Sequence, residues 1–132
     1  MGIRVLTARG RVPVSVFHIS GDIDTHSYQE LEAKAEKAQA EGAREIVLDL
    51  TDVGYVSSAG IRAINYIYRL LRTGAPEESD DAVREGIKAG TFKSPHLKLA
   101  NVNQRVSEAL KVAGVDMFLE FHPDLASAVD SF

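Results

Sequence analysis

One short stretch of this chain, residues 45–50, constrains the fold more than any other. It reads EIVLDL, a nearly continuous apolar run interrupted at Asp49. A run of this length and composition is typical of a strand that is covered on both faces, as in the centre of a parallel sheet. Because such a sheet needs helices to cover its faces, we expect an α/β domain.

The segments around this run alternate between strand-like and helix-like patterns. β-branched residues favour an opening hairpin over residues 3–8 and 12–20, and later strands over 97–102 and 117–121. Apolar residues at helical spacing predict helices that begin at Thr25, at Ser57 or Ser58, shortly before Val106, and at Pro123, with Gly42 ending the first. This order predicts a mostly parallel sheet with right-handed crossovers and one antiparallel edge.

Length and composition are those of a single domain. The chain has 132 residues, a formal net charge of −4 and no cysteine. The lack of cysteine excludes disulfides and thiolate metal sites and suits a reducing cytoplasm. The sequence shows no basic patch of the kind that nucleic-acid binders carry. It has no signal-peptide pattern and no apolar run near the roughly 20 residues that span a bilayer. We therefore expect a cytoplasmic domain without nucleic-acid binding or membrane insertion.

Residues 75–95 interrupt the alternation of strands and helices. Four acidic residues cluster between positions 77 and 81, and only Val83 and Ile87 form an apolar pair at helical spacing. Ser79 is a candidate N-cap for a short helix that would end near Gly90. The pattern predicts a loosely packed insertion between the second core helix and the next strand.

The segment from Asp49 to Arg62 carries the most information about function. In it a strand leads through a short turn to a helix start that contains Ser57, Ser58 and Gly60. The first turn of a helix presents free N–H groups and the positive end of the dipole, so a phosphate on an exposed serine there is stabilised. The residues alone leave a second interpretation open, in which a serine is only an N-cap and the glycine only allows close packing.

This segment resembles the signature of the STAS domain, the family of anti-sigma factor antagonists. In that signature an apolar strand leads to an Asp-Ser-Ser/Thr-Gly-Leu helix start, and the first serine is the one that is phosphorylated. Ser58 takes the place of that serine, and Gly60 that of the glycine. The chain departs from the signature at Ser57, where the family has aspartate, and at Ala59, where it has serine or threonine.

The resemblance covers nearly the whole chain outside residues 74–95. Residues 19–24, ISGDID, are similar to the family's Leu-x-Gly-Glu-Leu-Asp strand end, whose final aspartate, here Asp24, lies near the phosphorylation site. Residues 99–115 resemble the late strand and helix of the family. The resemblance implies a STAS-like α/β fold, with a mixed sheet of four or five strands and helices largely on one face.

The same resemblance implies a regulatory binding protein and not an enzyme. In the family the unphosphorylated domain binds an anti-sigma factor that is also a serine kinase, and this binding frees the sigma factor. Phosphorylation breaks the complex, and a metal-dependent serine phosphatase restores it. Carried over, Ser58 is the phosphoacceptor with Ser57 as its rival. The partner surface would contain Asp22, Asp24, Ser57, Ser58, Gly60 and Arg62.

Other interpretations remain open at particular residues. The serine at position 57 and the insertion favour a STAS scaffold or subunit that binds a partner without a phosphoswitch, as in stress-signalling complexes or lipid-transport ABC systems. Asp22 and Asp24 resemble a catalytic carboxylate pair, but no nucleophile or metal partner accompanies them. Arg62 is either an ordinary surface residue or a partner of Asp24, Asp52 or a phosphate.

No residue pattern in the chain indicates a metal or a cofactor. The four histidines are scattered and form no His-x-x-x-His pair: His18, His26, His96 and His122. There is no Gly-x-Gly-x-x-Gly sequence and no P-loop. We therefore expect neither a bound metal nor a nucleotide cofactor.

Overall fold

The computed structural model describes residues 2–73 and 93–132, which form one mixed sheet flanked by helices. The sheet contains five strands in chain order: β1 (Gly2–Arg9), β2 (Pro13–Ser20), β3 (Ile46–Asp52), β4 (Leu97–Ala100) and β5 (Glu120–His122). β1 is antiparallel to β2, and the other neighbours are parallel. The predicted mixed sheet with one antiparallel edge is thus confirmed.

Helices connect and flank these strands. They are α1 (Tyr28–Ala40), α2 (Ser58–Thr73), α3 (Gln104–Val112) and α4 (Leu125–Asp130), with a short 3-10 helix at Val115–Met117. Among the described residues, none of these helices is long and apolar enough to cross a membrane.

β3 is covered on both faces, as its sequence predicts. Residues 46–50 are all buried. Ile46, Leu48 and Leu50 belong to the main hydrophobic core, whereas Val47 belongs to a smaller cluster on the opposite face. Successive strand residues point to opposite faces, so a strand enclosed on both sides has to be apolar at nearly every position.

The helices lie largely on one face of the sheet, as the resemblance implies. Leu31 of α1, Ile64 of α2 and Leu110 of α3 are fully buried in the main core. Each such side chain contributes roughly 1.5–3 kcal/mol through burial. α4 is the exception, because its Ala128 and Val129 pack in the cluster on the other face.

The predicted N-cap of α1, Thr25, is wrong by two residues, because the N-cap is Ser27. The helix begins at Tyr28 and not directly at Thr25. The backbone carbonyl of Asp24 accepts hydrogen bonds from the N–H groups of Ser27 (3.2 Å) and Tyr28 (2.9 Å). These bonds close a separate turn ahead of the helix, so the chain does not enter α1 at Thr25.

Two other helix boundaries are predicted from single residues. Gly42 ends α1 as predicted, whereas Pro123 is not the start of α4. Gly42 adopts φ +104° two residues after the last residue of α1, a conformation that glycine takes at little cost. Pro123 lies outside α4, because Asp124 is the N-cap and accepts a 2.7 Å bond from the N–H of Ser127.

The last strand is also displaced from its predicted position at 117–121, since β5 spans Glu120–His122. The preceding residues form the 3-10 turn, in which the N–H of Leu119 donates to the carbonyl of Val115 at 3.0 Å. Both side chains are buried in the main core. The apolar pattern at 117–121 therefore arises from a turn that packs against the main core, followed by a short strand.

The predicted insertion at 75–95, with its Ser79 cap, lies outside the described residues apart from positions 93–95. Ser94 is buried, its N–H donates to the carbonyl of Phe118 at 2.8 Å, and its Oγ accepts from the N–H of Leu97 at 3.3 Å. Ser94 therefore belongs to the packed domain at the entrance to β4.

Candidate functional site

The carboxyl ends of β2 and β3 bring the two motif regions of the sequence together. Ile23 and Val56 form an isolated parallel bridge beyond the strands. The N–H of Ile23 donates to the carbonyl of Tyr55 at 3.0 Å, and the N–H of Ser57 donates to the carbonyl of Ile23 at 2.9 Å. The acidic loop after β2 therefore runs beside the connection from β3 to α2.

Ser57 is the N-cap of α2. It lies directly before the first helical residue, and its Oγ accepts a long 3.4 Å hydrogen bond from the N–H of Gly60. Its carbonyl accepts from the N–H of Ile61 at 2.9 Å. This is the arrangement in which a serine satisfies a donor of the first helical turn. The N-cap interpretation, left open by the sequence, thus applies to Ser57.

Ser58 has a different environment from its neighbour. It is the first residue of α2 and is exposed, whereas Ser57 is half-buried. Of the two candidate serines, Ser58 is the more exposed.

Gly60 permits a close approach between α2 and the acidic loop. A Cβ atom at this position would overlap the backbone carbonyl oxygen of Ile23 and lie 2.8 Å from Cγ1 of Val56. The residue is buried. Its contribution to the site is therefore to let the helix start pack against Ile23, and any contribution to a partner surface is indirect.

Asp22 and Asp24 both lie in the loop beside the α2 start but have different partners. Asp22 is exposed, and its Oδ1 lies 3.6 Å from where a Cβ on Gly54 would stand, which places the carboxylate over the β3–α2 turn. Asp24 is half-buried, and its Oδ1 accepts from the N–H of His26 at 2.9 Å and lies 3.3 Å from Oγ of Ser27. Asp24 thus stabilises its own loop.

Arg62 lies one turn after Ser58 on the same side of α2 and is exposed. Within the part of the chain that the structure describes, it forms no ion pair, so neither Asp24 nor Asp52 holds it. Arg62 is thus an exposed cation one helical turn from Ser58.

The structure adds two residues that the sequence did not single out as site residues. Arg105, in the first turn of α3, lies over the ring of Tyr55 with 5.4 Å between its guanidinium carbon and the ring centroid. Asn103 donates from Nδ2 to the carbonyl of Val53 at 2.8 Å and caps α3 by accepting from Val106. Tyr55 is 41% exposed. Residues that are 50 positions apart thus form one surface, which no local pattern reveals.

Chemically, this region can support recognition of another protein. It combines acidic residues, arginines, an exposed aromatic ring and an accessible serine, which are common constituents of protein interfaces. Among residues 2–73 and 93–132, no cluster of three or more histidine, aspartate or glutamate side chains is placed to hold a metal ion. The residues around the start of α2 thus have the composition of a protein-binding surface.

Comparison with known proteins identifies the family. Residues 5–75, more than half of the chain, match the STAS domain model. Over 99 residues the chain is 30% identical to BtrV of Bordetella bronchiseptica, a protein provisionally named an anti-sigma factor antagonist, and this match covers 72% of the chain and 84% of BtrV. The chain belongs to the STAS domain family and, by sequence and fold, falls with its anti-sigma factor antagonists, which are regulatory binding proteins.

Solved structures confirm the fold. Unphosphorylated SpoIIAA, an anti-sigma factor antagonist, has a TM-score of 0.70 at 17% identity, covering 98% of this chain and 94% of its own. The phosphorylated form of SpoIIAA from Bacillus has a TM-score of 0.65 at 15% identity, covering 98% and 97%. An antagonist from Mycobacterium paratuberculosis has a TM-score of 0.68 at 19% identity, covering 97% and 92%.

Proposed function

We propose that this protein is a cytoplasmic anti-sigma factor antagonist switched by phosphorylation of Ser58. In this proposal the unphosphorylated domain binds an anti-sigma factor that is also a serine kinase and so releases the sigma factor. Phosphorylation ends the binding, and a serine phosphatase reverses it. The single observation that carries the proposal is the position of Ser58, exposed as the first residue of α2 within a STAS domain.

The choice of Ser58 over Ser57 rests on what each hydroxyl already does. Ser57 Oγ is engaged with the N–H of Gly60, and its side chain is half-buried. Phosphorylating it would alter the hydroxyl oxygen that caps the first turn of α2. Phosphorylating Ser58 leaves the cap intact.

A phosphate on Ser58 is expected to act on the complex and not on the fold. It adds about −1.5 to −2 charges, which the dipole of α2 and the nearby Arg62 tolerate in the free domain. In an interface the same group has to be desolvated and is repelled by acidic partner residues. The partner surface that we propose consists of Asp22, Asp24, Tyr55, Ser58, Arg62 and Arg105.

A scaffold or transport subunit without a phosphoswitch is the second candidate. The observation in its favour is Ser57, which stands where the family has aspartate. Serine and aspartate cap helices about equally well, so the change keeps the helix start but removes a negative charge beside Ser58. Whether a kinase needs that charge separates the two candidates.

Phosphorylation in vitro tests the proposal. The protein is incubated with ATP and the anti-sigma type serine kinases of its source organism, and its intact mass is measured. We expect a single phosphate that maps to Ser58, is retained in Ser57→Ala and is absent from Ser58→Ala. Stable kinase binding without phosphate, or phosphate on Ser57, would overturn the assignment and favour the scaffold.

A further inference from the structure

A polar cluster lies on the face of the sheet opposite the main core, and the proposed function does not use it. Nδ1 of His18 on β2 lies 2.9 Å from Oδ2 of Asp49, and its Nε2 lies 2.9 Å from Oδ2 of Asp52, both on β3. The side chain of His18 is 22% exposed, that of Asp49 8% and that of Asp52 56%. One imidazole ring therefore joins a buried and an exposed carboxylate.

Asp49 is an acceptor with an unusually full set of donors. Its Oδ1 accepts from Oγ1 of Thr51 (2.6 Å), the N–H of Thr51 (3.2 Å) and Nδ2 of Asn101 (3.1 Å). Burial alone would raise the pKa of Asp49, but the hydrogen bonds from Thr51, His18 and Asn101 outweigh burial and hold it below its usual value. The carboxylate is thus ionised at neutral pH.

The two contacts dictate the protonation state of the ring. Ionised carboxylates only accept hydrogen bonds, so both ring nitrogens have to donate, and only the imidazolium form carries both protons. Consistently, the hydrogen bond to Asp49 and then that to Asp52 raise the pKa of His18 above 6.5. A neutral ring would satisfy one carboxylate and leave the other without its donor.

The two carboxylates that His18 contacts lie on either side of an irregularity in the pairing of β2 with β3. His18 pairs with Asp49, and the next paired residues are Ser20 and Asp52, so two steps along β2 oppose three along β3. This is a β-bulge, which bends a strand and redirects the residues beyond it. The ring of His18 spans the bulge from Asp49 to Asp52.

The residues beyond the bulge lead directly to the switch serine. The carbonyl of Asp52 accepts from the N–H of Gly21 at 3.0 Å, which ties the end of β3 to the start of the acidic loop. Both segments then reach the Ile23–Val56 bridge, and the N-cap Ser57 comes directly after it. The course of this connection is set where β3 ends.

We infer that His18 is a positioning residue: its protonated ring holds the β3 bulge between Asp49 and Asp52 and thereby sets the orientation of the Ser57–Ser58 helix start, so that loss of the ring proton loosens that start. The structural part of this inference stands alone. Its consequence for partner binding and phosphorylation rests on the proposed function.

Charged residues on each neighbouring element are relevant to the protonation of His18. Arg4 of β1 pairs in register with His18, and the carboxylates of Asp49 and Asp52 favour the protonation of His18. Farther across the same face, Glu120 contacts both His122 (2.9 Å) and Lys98 (3.6 Å). α4, which covers part of this face, has an acidic residue at each end: Asp124, engaged as its cap, and the exposed Asp130.

NMR on the full-length protein tests the structural part. Nitrogen-15 shifts of the imidazole rings and backbone amide spectra are recorded over a pH range from about 5.5 to about 9, which brackets the ordinary histidine pKa. We expect both His18 nitrogens to be protonated at pH 6.5, with a midpoint above 6.5 that the amides of Ser57 and Ser58 share. A neutral His18 at that pH, or amides that do not follow its titration, would overturn the inference.

Asp52→Asn is the diagnostic variant, because it weakens one contact at an exposed position and leaves the buried Asp49 in place. We expect the coupled amide shifts to vanish and the His18 midpoint to fall. The matched control is His96→Gln, since His96 contacts Glu45 at 3.0 Å and is not part of the bulge. The coupled shifts should persist in this control, and their loss there would also overturn the inference.

A phosphorylation assay distinguishes failure of this inference from failure of the proposed function. Near pH 6.5 we expect phosphorylation of Asp52→Asn to be slower than wild type by up to about tenfold, the equivalent of one charge-assisted hydrogen bond. The ratio should approach one at high pH. If no kinase phosphorylates wild type, the proposed function fails while the NMR coupling still decides the structural inference. If the wild-type to variant ratio is independent of pH, His18 does not position the serine.

Discussion

The backbone carbonyl of Ile23 occupies the space that a side chain on Gly60 would need. This contact joins the loop after β2 to the first turn of α2. The same carbonyl also accepts a hydrogen bond from the N–H of Ser57. Ser58 therefore stands on a helix start that is packed against the acidic loop.

Gly60→Ala is expected to destabilise the protein by about 1–3 kcal/mol, because the added methyl group overpacks a site bounded by rigid backbone. Urea unfolding measures the effect. Gly54→Ala is the matched control, since its Cβ would meet only Oδ1 of Asp22 at an ordinary 3.6 Å. Equal stability of both variants would show that the approach of Ile23 does not require glycine.

Alanine substitutions of Ser57 and Ser58 should differ in their effect on the free energy of unfolding. Ser57→Ala removes the N-cap of α2 and is expected to cost about 1 kcal/mol of unfolding free energy. Ser58→Ala removes an exposed hydroxyl and should stay within about 0.5 kcal/mol of wild type. Thermal unfolding followed by circular dichroism measures both, and the reverse order would contradict the assignment of the cap.

Substitutions at Ser58 should alter binding without altering the fold. Ser58→Ala is expected to bind the kinase partner constitutively, and Ser58→Asp to bind poorly with little change in melting temperature, because the helix start tolerates the charge while the interface does not. Calorimetry and thermal unfolding measure the two effects. Wild-type affinity in Ser58→Asp would argue against an electrostatic switch at this position.

Asp24→Asn removes the negative charge of the side chain but keeps its hydrogen-bond acceptor. The Asn side-chain oxygen can still accept from the N–H of His26, so stability should change by less than about 0.5 kcal/mol. Partner binding or phosphorylation should weaken because the charge is lost. Asp24→Ala, which removes the acceptor as well, should cost about 1 kcal/mol more in unfolding free energy. Unchanged binding and phosphorylation in Asp24→Asn would exclude Asp24 from the partner surface.

The His18 contacts also predict how stability depends on pH. Because the folded pKa of His18 is raised above its unfolded value of 6.5, the contribution of the imidazolium is fully present below pH 6.5. It is lost as the pH rises through the folded pKa. The difference in unfolding free energy between wild type and His18→Gln should therefore shrink as the pH rises from about 6 to about 9. A difference that grows with pH would mean that the ring is neutral in the folded protein.

The insertion leads to a prediction about chain length. Replacing residues 76–92 with a short linker should cost less than about 3 kcal/mol, since loop length has a small entropic effect and this segment is poor in apolar residues. The replacement has to end before Ser94, which is buried against the carbonyl of Phe118. Urea unfolding of the shortened chain measures the cost, and a larger loss would place the segment in the core.

Local features of the sequence predicted most of the fold. The apolar run at 45–50 falls in β3, whose residues 46–50 are buried, and Gly42 ended α1 as expected, because both depend on the periodicity or backbone preference of a few neighbouring residues. The motif at 57–60 likewise contained its own cap and its own close-packed glycine. The phosphoacceptor role of Ser58 remains a prediction.

Other features depend on residues that lie far apart in the chain. The stacking of Arg105 on Tyr55 and the placement of His18 between Asp49 and Asp52 arise only when strands pair in a particular register. No periodicity shows which carboxylates a histidine will meet 31 and 34 residues away. The sequence by itself therefore determined the elements, their order and the helix start that carries Ser58. Tertiary structure decided the neighbours of that helix start, because register and the β-bulge are properties of paired strands and not of either strand alone.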